Sequence, residues 1–231
     1  MAARRGKTRV RLAGAVLLLA LLGGGWGWWQ WHHWQPDRAA FPVQGVEIGA
    51  EDGAVDFKAL KATGADFAYI DASASAFARD PAFTRNLAAA RASGLKTGAV
   101  HRYDPCQPGD RQAANFVIVV PRDAAMLPAG VELRRTADEC PVAISDAEIE
   151  SELMTFLNQV ETHTGKHTLL KLGPEFEARH AIAAKIERNL WLERDILEPD
   201  YAGRPWTLWT ANSALASDHV ADRLRWVVAR P

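Results

Sequence analysis

Cys106 and Cys140 are the two cysteines of the chain, and each lies in a loop-like stretch, Asp104-Pro105-Cys106 and Asp138-Glu139-Cys140. Thiols in a segment outside the cytoplasm more often pair than stay free. A zinc site is the alternative, but it would need further histidine or cysteine ligands at the right spacing, and neither neighbourhood supplies them. A Cys106–Cys140 disulfide joining two loops is therefore expected. His32-His33 is the other pair with metal-binding chemistry. Two adjacent histidines without a third ligand are weak evidence for a metal, and an interfacial role beside the neighbouring tryptophans is preferred. No metal or cofactor is expected. The chain holds 27 basic and 28 acidic residues, and Arg4, Arg5, Lys7, Arg9 and Arg11 crowd the first eleven positions with no acid among them. The rest of the chain is mildly acidic and has no basic stripe, which argues against a nucleic-acid partner.

These groups need elements to position them. Leu12 to Trp29 is uncharged, reading LAGAVLLLALLGGGWGWW, close to the ~20 helical residues that cross a hydrocarbon core of about 30 Å. Basic residues on its N-terminal flank keep that end in the cytoplasm, and Trp26, Trp28, Trp29, Trp31 and Trp34 suit the far membrane–water boundary. A cleaved signal peptide is the rival reading, but no small-x-small site is well marked. The expected organisation is a cytoplasmic tail (1–11), a single-pass signal anchor (12–31), a linker (32–41) and an outer domain (42–231). The outer domain would lie on the periplasmic or extracellular side of the cell membrane, and its ~190 residues suffice for one well-buried domain.

Within that domain strand-like and helical stretches alternate. Val43–Ile48, Asp66–Ile70, Thr97–His101, Val131–Leu133, His167–Leu172, Asn189–Leu192 and Trp206–Thr210 read as strands. Between them, Asp80-Pro81 has the form of an N-cap followed by proline at the first helical position. Ser145-Asp146-Ala147-Glu148 has the form of a capping box opening a long helix that ends near Gly165. Helices are also expected over Arg111–Val119 and Pro174–Lys185. This pace of alternation predicts parallel βα units, closed into a barrel of about eight strands, with an open sheet as the alternative.

Several segments then line up in order with one family. DFKALKATGADFAYI, DPAFTRNLAAARASGLKTGAVHRY, QAANF, LP followed by VEL, FLNQVETHTGK and RPWTLW together resemble the glycoside hydrolase family 25 lysozymes, which cleave the muramic acid side of peptidoglycan glycan strands. The resemblance spans roughly Val43 to Trp209. It implies an irregular (β/α) barrel, here behind a single transmembrane helix, with its active site at the C-terminal strand ends. It also implies peptidoglycan glycan strands as partner.

The chemistry that the resemblance implies is altered at the positions that matter. Glycoside hydrolysis normally uses two carboxyl groups, one to protonate the leaving oxygen and one to support attack or developing charge. The family typically has Asp-x-Ser on its first strand, Asp-x-Glu on its fourth and a late Asp. Here the matching positions are Glu47-Ile48-Gly49, Glu132-Leu133-Arg134, and Arg223 with Asp222 one place off. Where the family often has Lys-Ala-Thr-Glu-Gly, this chain has Asp71-Ala72-Ser73-Ala74-Ser75. An arginine cannot cycle as acid and base, and it would push Glu132 toward the ionised form. Glu47 and Glu132 are each one methylene longer than aspartate, and a misplacement of about 1 Å can cost on the order of 100-fold in rate. Glu132 and Glu47 remain the candidate catalytic pair. Arg134, His101, Tyr103 and Trp209, with Trp206, are candidate ligand contacts, although the histidine and the aromatic residues fit a packed core equally well. The expected function is a membrane-anchored, lysozyme-like protein acting on or binding peptidoglycan, with muramidase activity reduced or lost. An active N-acetylmuramidase is the alternative.

Overall fold

The computed structural model describes residues 2–221 and 223–231, with side chains from Gly14 onward except those of Ala15 and Asp222. Asp222, and the side chains of the basic residues before Leu12, lie outside the described residues. The chain divides into two compact units, Met1–Trp34 and Gln35–Pro231. The first is one helix, α1 (Ala2–His33). Its Val16, Leu17, Leu18, Leu19, Leu21 and Leu22 are exposed. Among the described residues no helix is long and apolar enough to cross a membrane; the expected span begins at Leu12 and Ala13, whose side chains fall outside that set.

The second unit is a barrel. Its strands are β1 (Gln44–Ile48), β2 (Phe67–Ala74), β3 (Ala78–Arg79), β4 (Lys96–Arg102), β5 (Gly130–Leu133), β6 (Leu169–Leu172), β7 (Asn189–Glu193), β8 (Leu208–Ala216) and β9 (Arg223–Ala229). They run in the order β1-β9-β8-β7-β6-β5-β4-β2-β3, and β1 also pairs with β2, so eight strands close the ring and β3 is a short flap folded back on β2. β1, β2 and β4 to β8 are mutually parallel, as expected, but β9 runs antiparallel to both β8 and β1. The chain therefore ends its last strand where the first begins, and Ala229 N–H donates to the Val43 carbonyl at 2.9 Å.

The helices α2 (Phe57–Ala62), α3 (Phe83–Ala92), α4 (Gly109–Val119), α5 (Asp146–Thr164), α6 (Pro174–His180) and α7 (Ile182–Lys185) lie between strands. α5 has the expected reciprocal Ser145–Glu148 cap and stops at Gly165, whose φ of 72° is left-handed. Two expectations shift. α3 starts at Phe83 rather than Pro81, because the Asp80 carboxylate takes the Ala82 and Ala50 N–H groups and holds a turn there. The helix expected over Pro174–Lys185 breaks at Ala181, whose φ is 50°, to give α6 and α7.

The base of the ring is filled by Phe67, Tyr69, Val100, Leu169, Trp191, Leu208 and Val227. Gly45 and Gly98 make room for this plug. A Cβ on Gly45 would lie 2.4 Å from Phe67, and one on Gly98 2.3 Å from the Tyr69 ring. Trp191 caps the apolar layer, tied by its indole N–H to Thr210 Oγ1 at 2.8 Å. Above it the interior becomes ionic.

Candidate active site

Strand register carries charged groups to the C-terminal rim. Arg102 on β4 pairs with Glu132 on β5, and Glu132 with Lys171 on β6, so three neighbouring strands present a cation, an anion and a cation side by side. Across the ring, Glu47 on β1 pairs with Arg225 on β9. Glu193 ends β7.

Lys171 is the centre. Its side chain is 1% exposed and its Nζ lies 5.0 Å above the Trp191 ring, with the other side open to carboxylates. The ammonium donates to both Glu47 oxygens at 2.7 Å and to Glu132 Oε1 at 2.8 Å, and lies 2.9 Å from Glu193 Oε1. Burial opposes the charge, but Glu193, Glu47 and Glu132 outweigh it and raise the lysine's pKa. Glu132 shows the reciprocal effect. Burial pushes its carboxyl up, yet Lys171 by charge and hydrogen bond, then Arg134 and Arg102, bring it down to about 2. Arg134 pairs with Glu193 and lies 3.6 Å from Glu132 Oε1.

A second cluster adjoins the first. Arg102 reaches Asp71 Oδ2 at 2.5 Å, Glu51 Oε1 at 2.6 Å and Glu132 Oε2 at 3.4 Å. Arg225 reaches Glu51 at 2.9 Å, Asp52 at 3.1 Å and Asp71 at 3.4 Å. Asp71 is buried, and its Oδ1 has no hydrogen-bond partner. Burial, then the Glu47 charge, push its carboxyl up to about 7 against the pull of the two arginines. Carboxylate oxygens of Glu51, Asp71 and Asp80 come within 4.8 Å of one another, but Arg102 already occupies two of them, which leaves a poor setting for a cation.

The expected residues thus divide. Glu47, Glu132 and Arg134 converge at one rim. His101 does not join them: it is fully buried, held by Ser73 Oγ at 2.8 Å and Gln112 Oε1 at 3.2 Å, and stacked on Phe156. Burial, partly offset by the Gln112 bond, lowers its pKa to about 4, which favours a packed, neutral ring. Tyr103 and Trp209 are also core, at 4% and 2% exposure. The Tyr103 hydroxyl is buried without a partner, and the Trp209 indole donates to the Arg194 carbonyl at 2.7 Å. Trp206 packs against Trp209. None of these rings forms a sugar platform; the exposed aromatic near this end is Phe77 in the β2–β3 turn. On β9 the residue opposite Glu47 is Arg225, two places after the expected Arg223.

Sequence reasoning missed Lys171, Glu193, Arg102 and Arg225. The available signal was a lone charge in or at the end of an apolar strand, in LLKL and NLWLE. Cys106 and Cys140 do form a disulfide. It ties the loop after β4 to the segment after β5, beside Arg135, which pairs with Asp104 at 3.0 Å.

Chemically, the rim holds one carboxyl well below its ordinary range, Glu132, against an ammonium that three carboxylates share, and one pushed up to about 7, Asp71.

The model of the glycosyl hydrolases family 25 matches residues 46–215. Among curated proteins the chain is 24% identical over 177 residues to the uncharacterized protein YegX of Escherichia coli, in strain K12 and in strain CFT073, covering 74% of this chain. It spans 63% of the length of those relatives. Among solved structures it resembles a family 25 glycosyl hydrolase from Bacillus anthracis (TM-score 0.77, 22% identity, 87% of this chain and 93% of that one). A bacterial lysozyme from Streptomyces coelicolor is also similar (TM-score 0.72, 20% identity, 82% and 92%). So is a family GH25 lysozyme from Aspergillus fumigatus (TM-score 0.68, 21% identity, 82% and 94%). At these identities the structural likeness speaks to the fold.

Proposed function

The chain belongs to glycosyl hydrolases family 25, and we propose that its barrel binds peptidoglycan glycan strands with muramidase activity lost. One observation carries this reading: Lys171 Nζ bonds Glu47 and Glu132 together, in the place where an active site of this chemistry holds one protonated and one free carboxyl. With Glu132 held at about 2 and an arginine two residues on, Glu132 is not set up as general acid near neutral pH. Substrate would also have to break an interaction that is strong because it is desolvated.

The reading includes a tether. Residues 12–31 serve as a single-pass anchor, with residues 1–11 in the cytoplasm and the barrel on the far side of the cell membrane. The uncharged Leu12–Trp29 run, the basic flank and the tryptophans beyond it support this, as do the exposed leucines of α1. A disulfide in the barrel suits an oxidising compartment.

The test is a pair of assays on the purified full chain with isolated sacculi. The chain should co-sediment with sacculi and release no soluble muropeptides between about pH 4 and 8. Release that Glu132→Gln abolishes would overturn the reading in favour of an active muramidase.

A further inference from the structure

The opposite end of the barrel differs from the rim in both charge and polarity. There the strand starts surround an apolar pocket of about 450 Å3, lined by Val43, Phe67, Leu127, Pro128, Leu169 and Leu208, with Lys61 and Lys96 among its polar residues. Val43 is 46% exposed, so the pocket opens to solvent. Asp66 also lines it, and its two oxygens pair with Arg38 at 3.2 Å and with Lys61 at 3.9 Å. One acid thus faces three cations, and Lys96 has no ion pair among the described residues.

The same sign extends around this base. Arg122, Lys166 and Arg204 lie in segments that lead into strand starts, and Arg230 follows the end of the antiparallel β9. None of the four has a carboxylate partner among the described residues. Lys166 and Arg204 donate to main-chain carbonyls, and Arg230 lies over the Trp206 ring. The basal acids Asp123 and Glu161 are already engaged by Arg91 and Arg188; Asp37 and Glu187 are the exceptions. The rim carries the reverse excess, with Glu47, Glu51, Asp52, Asp71, Glu132 and Glu193 set against Lys171 and three arginines. The barrel is electrically polar along its axis although the whole chain is nearly neutral.

A basic annulus around an apolar pocket matches an anionic bilayer: phosphates for the cations, an acyl chain for the pocket. The segment 35–42 enters β1 at this same end and succeeds α1 in the chain. We infer that the base of the barrel is a docking face for anionic phospholipid, with Lys61 and Lys96 pairing with a headgroup phosphate while an acyl chain enters the pocket. The inference rests on the proposed anchor for bringing a bilayer near. It goes beyond that anchor by fixing which face meets the membrane, so that the carboxylate rim points toward the wall.

The test uses the full chain reconstituted in nanodiscs doped with a lipid bearing a photoactivatable acyl chain, on either a phosphatidylglycerol or a phosphatidylcholine headgroup. Cross-linked peptides are identified by mass spectrometry. In the anionic discs, cross-links should reach peptides containing Val43, Leu127 or Leu208 at several times the yield in zwitterionic discs. The double substitution Lys61→Glu, Lys96→Glu should remove most of them and leave the cross-links to residues 12–31 unchanged. Cross-links to residues 12–31 alone, or basal cross-links indifferent to headgroup charge, would overturn the docking face. Basal cross-links without any to residues 12–31 would support it and overturn the anchor; cross-links to neither would overturn both.

Discussion

Glu132 and Asp71 sit close together in the rim but respond to pH in opposite senses. Lys171 and the neighbouring arginines hold Glu132 down at about 2 from an ordinary 4.5. Its contribution to stability is present above pH 4.5 and is lost as pH falls toward 2. Burial and the Glu47 charge hold Asp71 up at about 7 from 3.8. Its contribution is present below pH 3.8 and is lost as pH rises through 7. Thermal denaturation followed by circular dichroism should therefore show a midpoint that peaks near pH 4–5. Asp71→Asn should flatten the decline between pH 5 and 7.5, and a decline of unchanged slope would show that Asp71 is ionised throughout. At this scale the sequence was legible where motif spacing spoke. Glu47, Glu132 and Arg134 do meet. Lys171 was hidden because β6 is buried on both faces, as parallel barrel strands are, so alternation could not say which residue points inward. His101, Tyr103 and Trp209 looked like ligand contacts because residue type alone does not separate a rim aromatic from a core one.

Among the elements, the disulfide bears most directly on the site. It spans a sequence separation of 34 residues and closes a loop that contains α4, β5 and Arg134. On a chain-entropy view, closing a loop of that size is worth about 3–4 kcal/mol. Replacing both cysteines by serine should lower unfolding free energy by up to that amount in urea titrations, with native secondary structure retained. No loss of stability would mean that the Arg135–Asp104 pair already fixes these loops. The parallel βα alternation of this region was readable from helix caps and apolar strands. The antiparallel turn of β9 was not, because nothing in RLRWVVA encodes direction; only its two neighbours do.

On the scale of the whole molecule, charge separates along the barrel axis while the net charge is −1, a pattern that composition cannot reveal. Family membership likewise fixes a frame without fixing an activity, since function lives in the site. The β1–β9 pairing has a consequence of another kind. It makes the barrel cyclic in space: the order of its strands has no natural first member, and the position of the cut is a matter of covalent connectivity. A rearranged gene that joins Arg230 to Phe41 through a few glycines and serines, and opens instead at the exposed Val142, should give a folded ring whose near-ultraviolet dichroism matches that of the parent barrel. A molten product would show that entering the ring at β1 is itself required for folding.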